Sequence, residues 1–139
     1  MAAQTGYAAI PLVIQRMDQA MNHHDLRLLA DCLDPNYRSE RPCRRGVWVG
    51  RDKAVKSWST IFHRIPNFQA HLIRCADNGE SIWTEWHWSG DQINGVRFEV
   101  QGVIIVGVEH DCITWGRLYM EPVKLSREEL PTLAGASRR

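Results

Sequence analysis

The chain has 139 residues, 44% of them hydrophobic and 24% charged, with a formal net charge of +1. This length fits one domain with a core of useful size. The balanced charge lacks the basic stripe that nucleic acid or an anionic membrane surface would favour, so neither is expected as a partner. No apolar run in the sequence approaches the ~18 residues of a membrane span.

The four cysteines, at positions 32, 43, 75 and 112, form no C-x-x-C pair. Their spacing fits no zinc pattern, and the run His23-His24-Asp25 stands in a turn with no further ligand nearby, so no metal site is expected. Free thiols suit a reducing compartment, and the N-terminus shows no basic-then-apolar signal segment. A cytoplasmic protein is therefore expected.

Two helices are predicted at the start of the chain. Apolar residues between positions 5 and 22 recur every three or four residues, which predicts a first helix with Pro11 in its first turn. Asp25 is the expected N-cap of a short second helix. The turn-forming residues 34–36 are expected to stop that helix.

A short strand and a third helix are predicted next. Residues 37–41 can run as a strand that ends at Pro42, and residues 43–50 are loop-like. Asp52 is the expected N-cap of the third helix, which ends before Pro66.

The remaining residues up to position 122 are strand-like, and turn sequences separate four runs: residues 68–75, 81–89, 96–109 and 113–121. This order of elements predicts an α+β domain in which the helices cover one face of the sheet. The domain is expected to span residues 1–122, and residues 123–139 a partly disordered C-terminal tail with a capping box at 126–129.

The segment S-I-W-T-E-W-H-W-S-G, residues 81–90, holds three of the six tryptophans. A strand places alternate side chains on opposite faces. One face then carries Ile82, Thr84, Trp86 and Trp88, and the other carries Trp83, Glu85 and His87. Because both faces hold large side chains, both are expected to be covered.

Four segments in a fixed order resemble a known family. They are M-N-H-H-D-L, D-P-N-Y, G-R-D-K-A-V and W-G-R-L-Y-M-E. Together they are similar to a SnoaL-like domain of the nuclear transport factor 2-like, or ketosteroid isomerase-like, superfamily, over roughly residues 5–122. The resemblance implies a cone-shaped, curved mixed β-sheet with three N-terminal helices packed on its concave face and a pocket between them.

The resemblance also assigns the two faces of the sheet. The expected substrate-binding residues on the pocket side are Met17, Trp58, Phe62, Trp86, Trp88, Ile104, Leu118 and Met120. The expected convex face carries Trp83, Glu85, His87, Val103, Ile105, Trp115, Arg117 and Tyr119. Since this family commonly pairs through the convex face, a homodimer is expected there.

Epoxide hydrolase chemistry is disfavoured by the resemblance. Limonene-type epoxide hydrolases use an arginine and two aspartates on the concave strands, and the matching positions here are Trp86, Trp88 and Leu118. None of these three side chains can carry a proton.

Ketosteroid isomerase chemistry is disfavoured in the same way. The carboxylate base and the two oxyanion donors of those isomerases match Arg41, Met17 and Ile104 here. The acid–base aspartate of the polyketide cyclases aligns with no carboxylate of this chain.

The resemblance therefore implies binding of a small apolar molecule, aromatic or polyketide-like, with a cyclase or isomerase step that needs no cofactor. Glu40 would carry the proton, and Tyr37 and Arg41 would polarise the substrate. The alternative for Glu40 and Arg41 is an exposed ion pair at a strand edge. The alternatives for the whole protein are a non-catalytic ligand-binding or accessory protein and a protein-interaction module.

Overall fold

The computed structural model describes residues 10–124. Within these residues the chain forms three α-helices, α1 (Leu12–Asn22), α2 (Leu26–Asp31) and α3 (Arg51–Arg64). It also forms six strands, β1 (Leu33–Arg41), β2 (Gly46–Val49), β3 (Gln69–Asp77), β4 (Ile82–Asp91), β5 (Arg97–Glu109) and β6 (Cys112–Pro122). The predicted capping box at 126–129 and the frayed tail lie outside the described residues.

The six strands form one sheet in the order β2-β1-β6-β5-β4-β3. Strands β1 and β6 pair in parallel, and the other neighbouring pairs are antiparallel. The sheet is curved and does not close on itself. The predicted α+β architecture, with a curved mixed sheet and three helices, is confirmed.

The first two strands differ from the prediction. The predicted loop contains strand β2, which pairs with β1 at the sheet edge and turns Trp48 inward between the exposed Val47 and Val49. Strand β1 begins at Leu33, before the predicted turn. The turn chemistry is nevertheless present, because the Asp34 carboxylate accepts a hydrogen bond from the backbone amide two residues later (2.8 Å). The result is a shift of register against β6 and not a loop.

One predicted helix cap is confirmed and another is wrong. The Asp25 carboxylate accepts a hydrogen bond from the Leu28 amide (3.0 Å) and caps α2. The N-cap of α3 is Gly50 and not Asp52. Gly50 has a φ of 124°, which only glycine adopts readily, and it turns the chain from β2 into the helix. Asp52 lies in the first turn of α3, where the helix dipole favours its charge.

The helices cover one face of the sheet, and the turn after α1 is anchored to β3. The Asn22 side chain accepts a hydrogen bond from the Ala70 amide (2.8 Å) and donates one to its carbonyl (2.9 Å). His24 Nε2 lies 3.0 Å from the Phe68 carbonyl oxygen, and its ring stacks on Phe62 at a centroid distance of 4.4 Å. His24 therefore fixes the α1–α2 turn against α3 and β3.

All four cysteines are free thiols. Burial raises the pKa of Cys32 to about 11, so this thiol stays protonated at neutral pH. In the part of the chain that the structure describes, no helix is both long and apolar enough to cross a membrane. The cytoplasmic location remains a prediction.

Candidate functional site

Strand β4 divides its tryptophans between the two faces of the sheet, as predicted. Trp86 and Trp88 are 3% and 7% exposed, whereas Trp83 is 48% exposed. Thr84 is buried with the first two, and its hydroxyl accepts a hydrogen bond from Trp86 Nε1 (2.8 Å). That hydroxyl donates in turn to the Ile104 carbonyl (2.7 Å), so the Trp86 N–H and the Thr84 hydroxyl are both paired.

Two cavities adjoin this concave face, and the outer one extends around the end of the sheet to Tyr119, which was expected only on the convex face. The inner cavity has a volume of about 100 Å³ and is enclosed by α1, α3 and the concave strands. The outer cavity has a volume of about 230 Å³ and lies towards the ends of β1, β5 and β6. Four residues line both cavities: Arg41, Ile61, Trp88 and Leu118. The two volumes therefore adjoin one another and form one composite site.

Seven of the eight expected substrate-binding residues line this site. The inner cavity contacts Met17, Trp58, Trp86, Trp88, Ile104 and Leu118, and the outer cavity contacts Trp88, Leu118 and Met120. Phe62 lines neither cavity. It is one turn beyond Trp58 on α3, and its ring packs between His24 and Phe68.

The polar lining of the inner cavity comes mainly from strand β1. Tyr37, Ser39 and Arg41 alternate along the strand and share the concave face. Ser39 is buried, and Arg41 reaches the surface. Burial raises the pKa of Tyr37, while a hydrogen bond with Ser39 and the charge of Arg41 act in the opposite direction. Tyr37 is therefore a neutral hydrogen-bond donor at physiological pH.

Gly116 on β6 makes room for the Tyr37 hydroxyl. A Cβ atom at Gly116 would lie 2.7 Å from Tyr37 Oη. Such a distance is well inside van der Waals contact, so any side chain there would displace the ring. The absence of a side chain at Gly116 leaves space for the Tyr37 hydroxyl next to β6.

The prediction that Glu40 lies in the site with Tyr37 and Arg41 is wrong. Its side chain points to the convex face, where its two carboxylate oxygens lie 2.7 Å from Arg38 Nε and 3.2 Å from Arg117 Nε. The cause is the period of two along β1, which separates residue 40 from its odd-numbered neighbours. The alternative expectation, an ion pair at a strand edge, is correct for Glu40, but its partners are Arg38 and Arg117 and not Arg41.

Carboxylates and imidazoles are missing from the inner wall. Of the described residues that line the inner cavity, none is Asp, Glu or His. The outer cavity includes one acid, the exposed Glu121 at the end of β6. Among residues 10–124, no group of three or more His, Cys, Asp or Glu side chains could hold a metal ion. The composite site thus offers hydrogen-bond donors and the positive charges of Arg41 and Arg44. Among the described residues, its inner part has no carboxylate or imidazole that could accept a proton.

One donor in the site has no partner. Trp88 Nε1 is buried and makes no hydrogen bond within the described residues. The Trp88 ring packs edge-on against Trp58 at a centroid distance of 5.3 Å. Because a buried N–H group without an acceptor is costly, this atom marks a place where a bound molecule could contribute an oxygen.

Several site residues were not foreseen from the sequence. They are Ser39, Arg44, Trp48, Ala54, Ser57 and Ile61. The alternation of Tyr37 with Ser39 and Arg41 was a usable signal for the first. Trp48 carried no signal, because it lies on the unpredicted strand β2.

Charged side chains on the convex face form ion pairs within the chain. Arg74 lies 2.9 Å from Glu85, and His87 Nε2 lies 2.7 Å from Glu99. The predicted convex residues on β4 through β6 face one another in register. The Trp115 indole packs directly over Gly107, where a side chain would collide with it.

The sequence matches a known family, and the fold matches known structures. A family model described as a SnoaL-like domain matches residues 14–115. No curated protein matches the sequence significantly.

Solved structures with the same fold include three with different descriptions. A hypothetical protein with a ketosteroid isomerase-like fold from Catenulispora acidiphila, in complex with trimethylamine, has a TM-score of 0.71 at 13% identity, covering 80% of this chain and 86% of its own. A putative SnoaL-like polyketide cyclase from Shewanella denitrificans has a TM-score of 0.66 at 11% identity, with 78% and 88% coverage. An epoxide hydrolase of the LEH-like type from M. tuberculosis has a TM-score of 0.68 at 16% identity, with 78% and 80% coverage. At these identities the likeness is one of fold.

Proposed function

Because this chain belongs to the SnoaL-like domain family, we propose that it binds a small, largely apolar molecule, aromatic or polyketide-like, in the composite site. The observation that carries the proposal is the inner cavity itself. Its walls are mostly apolar, with the indoles of Trp58, Trp86 and Trp88, and its polar groups lie together on β1. Concave apolar pockets with a few convergent polar groups are typical small-molecule sites.

The chemistry of the walls favours binding without catalysis. An acid–base isomerisation needs a group that accepts a proton near neutral pH. The inner cavity has no carboxylate or imidazole, and the raised pKa of Tyr37 keeps its phenol protonated. Glu40, the residue expected to accept the proton, is paired with arginines on the other face. A ligand-binding or accessory protein is therefore the function that this geometry supports best.

A cyclase or isomerase step is the second candidate, and one observation favours it. Tyr37 and Arg41 lie on the same face of β1 and could both donate to one carbonyl oxygen of a ligand. Such donors stabilise the negative charge that develops on that oxygen. In this second candidate the proton that leaves a substrate carbon must be accepted by another atom of the substrate or by water, because the inner cavity has no carboxylate or imidazole among the described residues.

Binding is tested by calorimetry with a neutral aromatic probe, 2-naphthamide, and two matched variants on α3. Ser57 lines the inner cavity, and Ser59, two residues later, is exposed and lines neither cavity. Ser57→Trp should fill the entrance and weaken binding by about tenfold or more, a loss of at least about 1.4 kcal/mol. Ser59→Trp should bind like the wild type.

Equal affinities of the wild type and Ser57→Trp would show that the probe binds elsewhere. Absence of binding to the wild type, both of this probe and of its carboxylate analogue 2-naphthoate, would count against the ligand-binding function. Once a natural ligand is known, the two candidate functions are distinguished by whether the protein converts that ligand or only binds it. Chemical conversion that is lost in Tyr37→Phe would support catalysis, and recovery of the unchanged ligand would support binding alone.

We also propose that two copies pair through the convex face. Trp83 is half exposed there, beside the cross-strand neighbours Ile105 and Arg117. Apolar side chains on a sheet face, with charges of both signs around them, can meet their own copy across a two-fold axis. The charged pairs Arg74–Glu85 and His87–Glu99 supply such a border.

A further inference from the structure

The outer cavity holds two guanidinium groups that are not paired with acids. Arg41 and Arg44 both line it. In residues 10–124, the arginines that lie within 4 Å of a carboxylate are Arg38, Arg74, Arg97 and Arg117. All four lie outside the two cavities. Five further arginines of residues 10–124, at positions 16, 27, 45, 51 and 64, also lack a carboxylate within 4 Å, but they line neither cavity. Arg41 and Arg44 are set apart because both line the same cavity without an acid of the described residues paired to either.

The short turn between β1 and β2 explains how these two charges come together. Arg41 ends β1 on its concave side, and Pro42 opens a 3-10 turn over Pro42–Arg44. Arg44 then lies one turn from Arg41 and contacts the same cavity. Arg45 follows in a left-handed conformation (φ 55°) and lines neither cavity. The turn thus directs two of its three arginines towards the site.

A third donor lies deeper in the same site. Trp88 lines both cavities and is 7% exposed, and its Nε1–H has no acceptor among the described residues. Tyr37 and Ser39 add hydroxyl groups further in. Glu121 is the acid of the outer wall, and it is exposed. The polar lining therefore consists mainly of donors and positive charge, which complements a ligand with anionic or strongly accepting oxygens.

We infer that the ligand is an amphipathic anion, an aromatic or polyketide-like carboxylic acid. Its ring lies against the tryptophans of the inner cavity, and its carboxylate lies in the outer cavity between Arg41 and Arg44. Guanidinium groups suit this role because their planar donors match the two oxygens of a carboxylate. This inference rests on the proposed function and adds to it the chemical class of the ligand.

Two probes of nearly equal shape test the inference. They are 2-naphthoate, which carries a carboxylate, and 2-naphthamide, which is neutral. Calorimetry on the whole protein at low ionic strength should show that the wild type binds the carboxylate about tenfold more tightly than the amide. The difference should shrink in high salt, because salt screens charges at an open cavity.

One double variant and one matched control identify the charges involved. In the double variant Arg41→Gln/Arg44→Gln the ratio of the affinities for 2-naphthoate and 2-naphthamide should fall from about tenfold to about one. Arg45→Gln removes the same charge from the next residue of the turn and should keep the full preference. Circular dichroism of each variant checks that the fold is retained.

The outcomes separate the inference from the proposed function. Failure of both probes to bind the wild type would count against the proposed function itself. Equal affinity of the wild type for the two probes would overturn the inference and leave apolar binding intact. Retention of the preference in Arg41→Gln/Arg44→Gln, or its loss in Arg45→Gln, would also overturn it.

Discussion

Polar side chains have different surroundings on the two faces of the sheet. On the convex face, carboxylates such as Glu40 and Glu85 lie within 3 Å of an arginine. On the concave face, the hydroxyls of Tyr37 and Ser39 lie in a largely buried site without an acid beside them. Adjacent residues of one strand, Ser39 and Glu40, thus have contrasting environments. The alternation of β1 separates paired charge from a donor-rich cavity.

This separation has a consequence for chemistry. An ion pair that is partly exposed to water contributes little to stability, about 0–1 kcal/mol. Had Glu40 faced the cavity, it would have been a candidate base. Its place on the convex face leaves the concave site able to polarise or bind an oxygen but poorly able to remove a proton.

The largest expected difference between the faces concerns two tryptophans of β4. Trp86 is 3% exposed and Trp83 is 48% exposed, three residues apart. Trp86→Ala should lower the free energy of unfolding by about 3–5 kcal/mol, because it removes a buried indole from the core. Trp83→Ala should cost less than about 1 kcal/mol within one chain, since it removes only surface cross-strand contacts. Urea unfolding of both variants measures these values.

The same pair of variants bears on the proposed dimer. If the convex faces pair, the effect of Trp83→Ala should grow with protein concentration, and that of Trp86→Ala should not. Light scattering should give twice the chain mass for the wild type and the chain mass for Trp83→Glu. Ile93→Glu, in the exposed β4–β5 turn, is the control and should remain a dimer. A monomeric wild type, or a dimeric Trp83→Glu, would contradict pairing through this face.

A smaller effect is expected where the concave side chain of Tyr37 meets β6. A Cβ at residue 116 would lie 2.7 Å from the Tyr37 hydroxyl but 3.5 Å from the nearest ring carbon. Gly116→Ala should therefore lower the free energy of unfolding by about 1–3 kcal/mol in the wild type. In a Tyr37→Phe background the same change should cost clearly less, because the colliding oxygen is gone.

A double-mutant cycle of the four proteins measures that coupling. Gly46→Ala is a suitable control, since its added Cβ would lie 3.8 Å from the Arg41 Cβ, an ordinary contact. Its cost should be small in both backgrounds. Equal costs of Gly116→Ala with and without the hydroxyl would mean that Tyr37 does not lie against β6 as the structure shows.

Much of the fold was predictable because alternation along a long strand is a strong signal. The ten residues of β4 have tryptophans on both faces, and one error of register would have reversed every one of them. Asp25 was predictable as a cap because its role depends only on residues near it in sequence. These features need no knowledge of distant contacts.

The site was less predictable, for reasons that differ between residues. Glu40 was grouped with Tyr37 and Arg41 by nearness in sequence, although the period of two places it on the other face. Phe62 shares a helix face with Trp58, but the cavity extends along only part of that face, and packing against His24 takes up the rest. The position of Arg44 at the outer cavity depends on the conformation of a 3-10 turn, which no periodic sequence pattern predicts.

The smallest expected effect is the pH dependence of stability that arises from Tyr37 on the concave face. Burial raises the pKa of Tyr37 above its usual value of 10.0. The folded protein then holds this proton more tightly than the unfolded chain does. The contribution of Tyr37 to stability is accordingly full below about pH 10 and declines as the pH rises through the folded-state value.

Tyr37→Phe isolates this contribution, because the Cys32 thiol, with its pKa raised to about 11, is common to both proteins. Between about pH 9 and about pH 11, the wild type should lose more unfolding free energy than Tyr37→Phe does. The difference between their phenolate absorbance titrations should show a midpoint above 10, the usual pKa of tyrosine. A midpoint at or below that value in the folded protein would mean that water reaches the phenol freely. The contrast between a dry concave site and a hydrated convex face would then fail at the residue that defines it best.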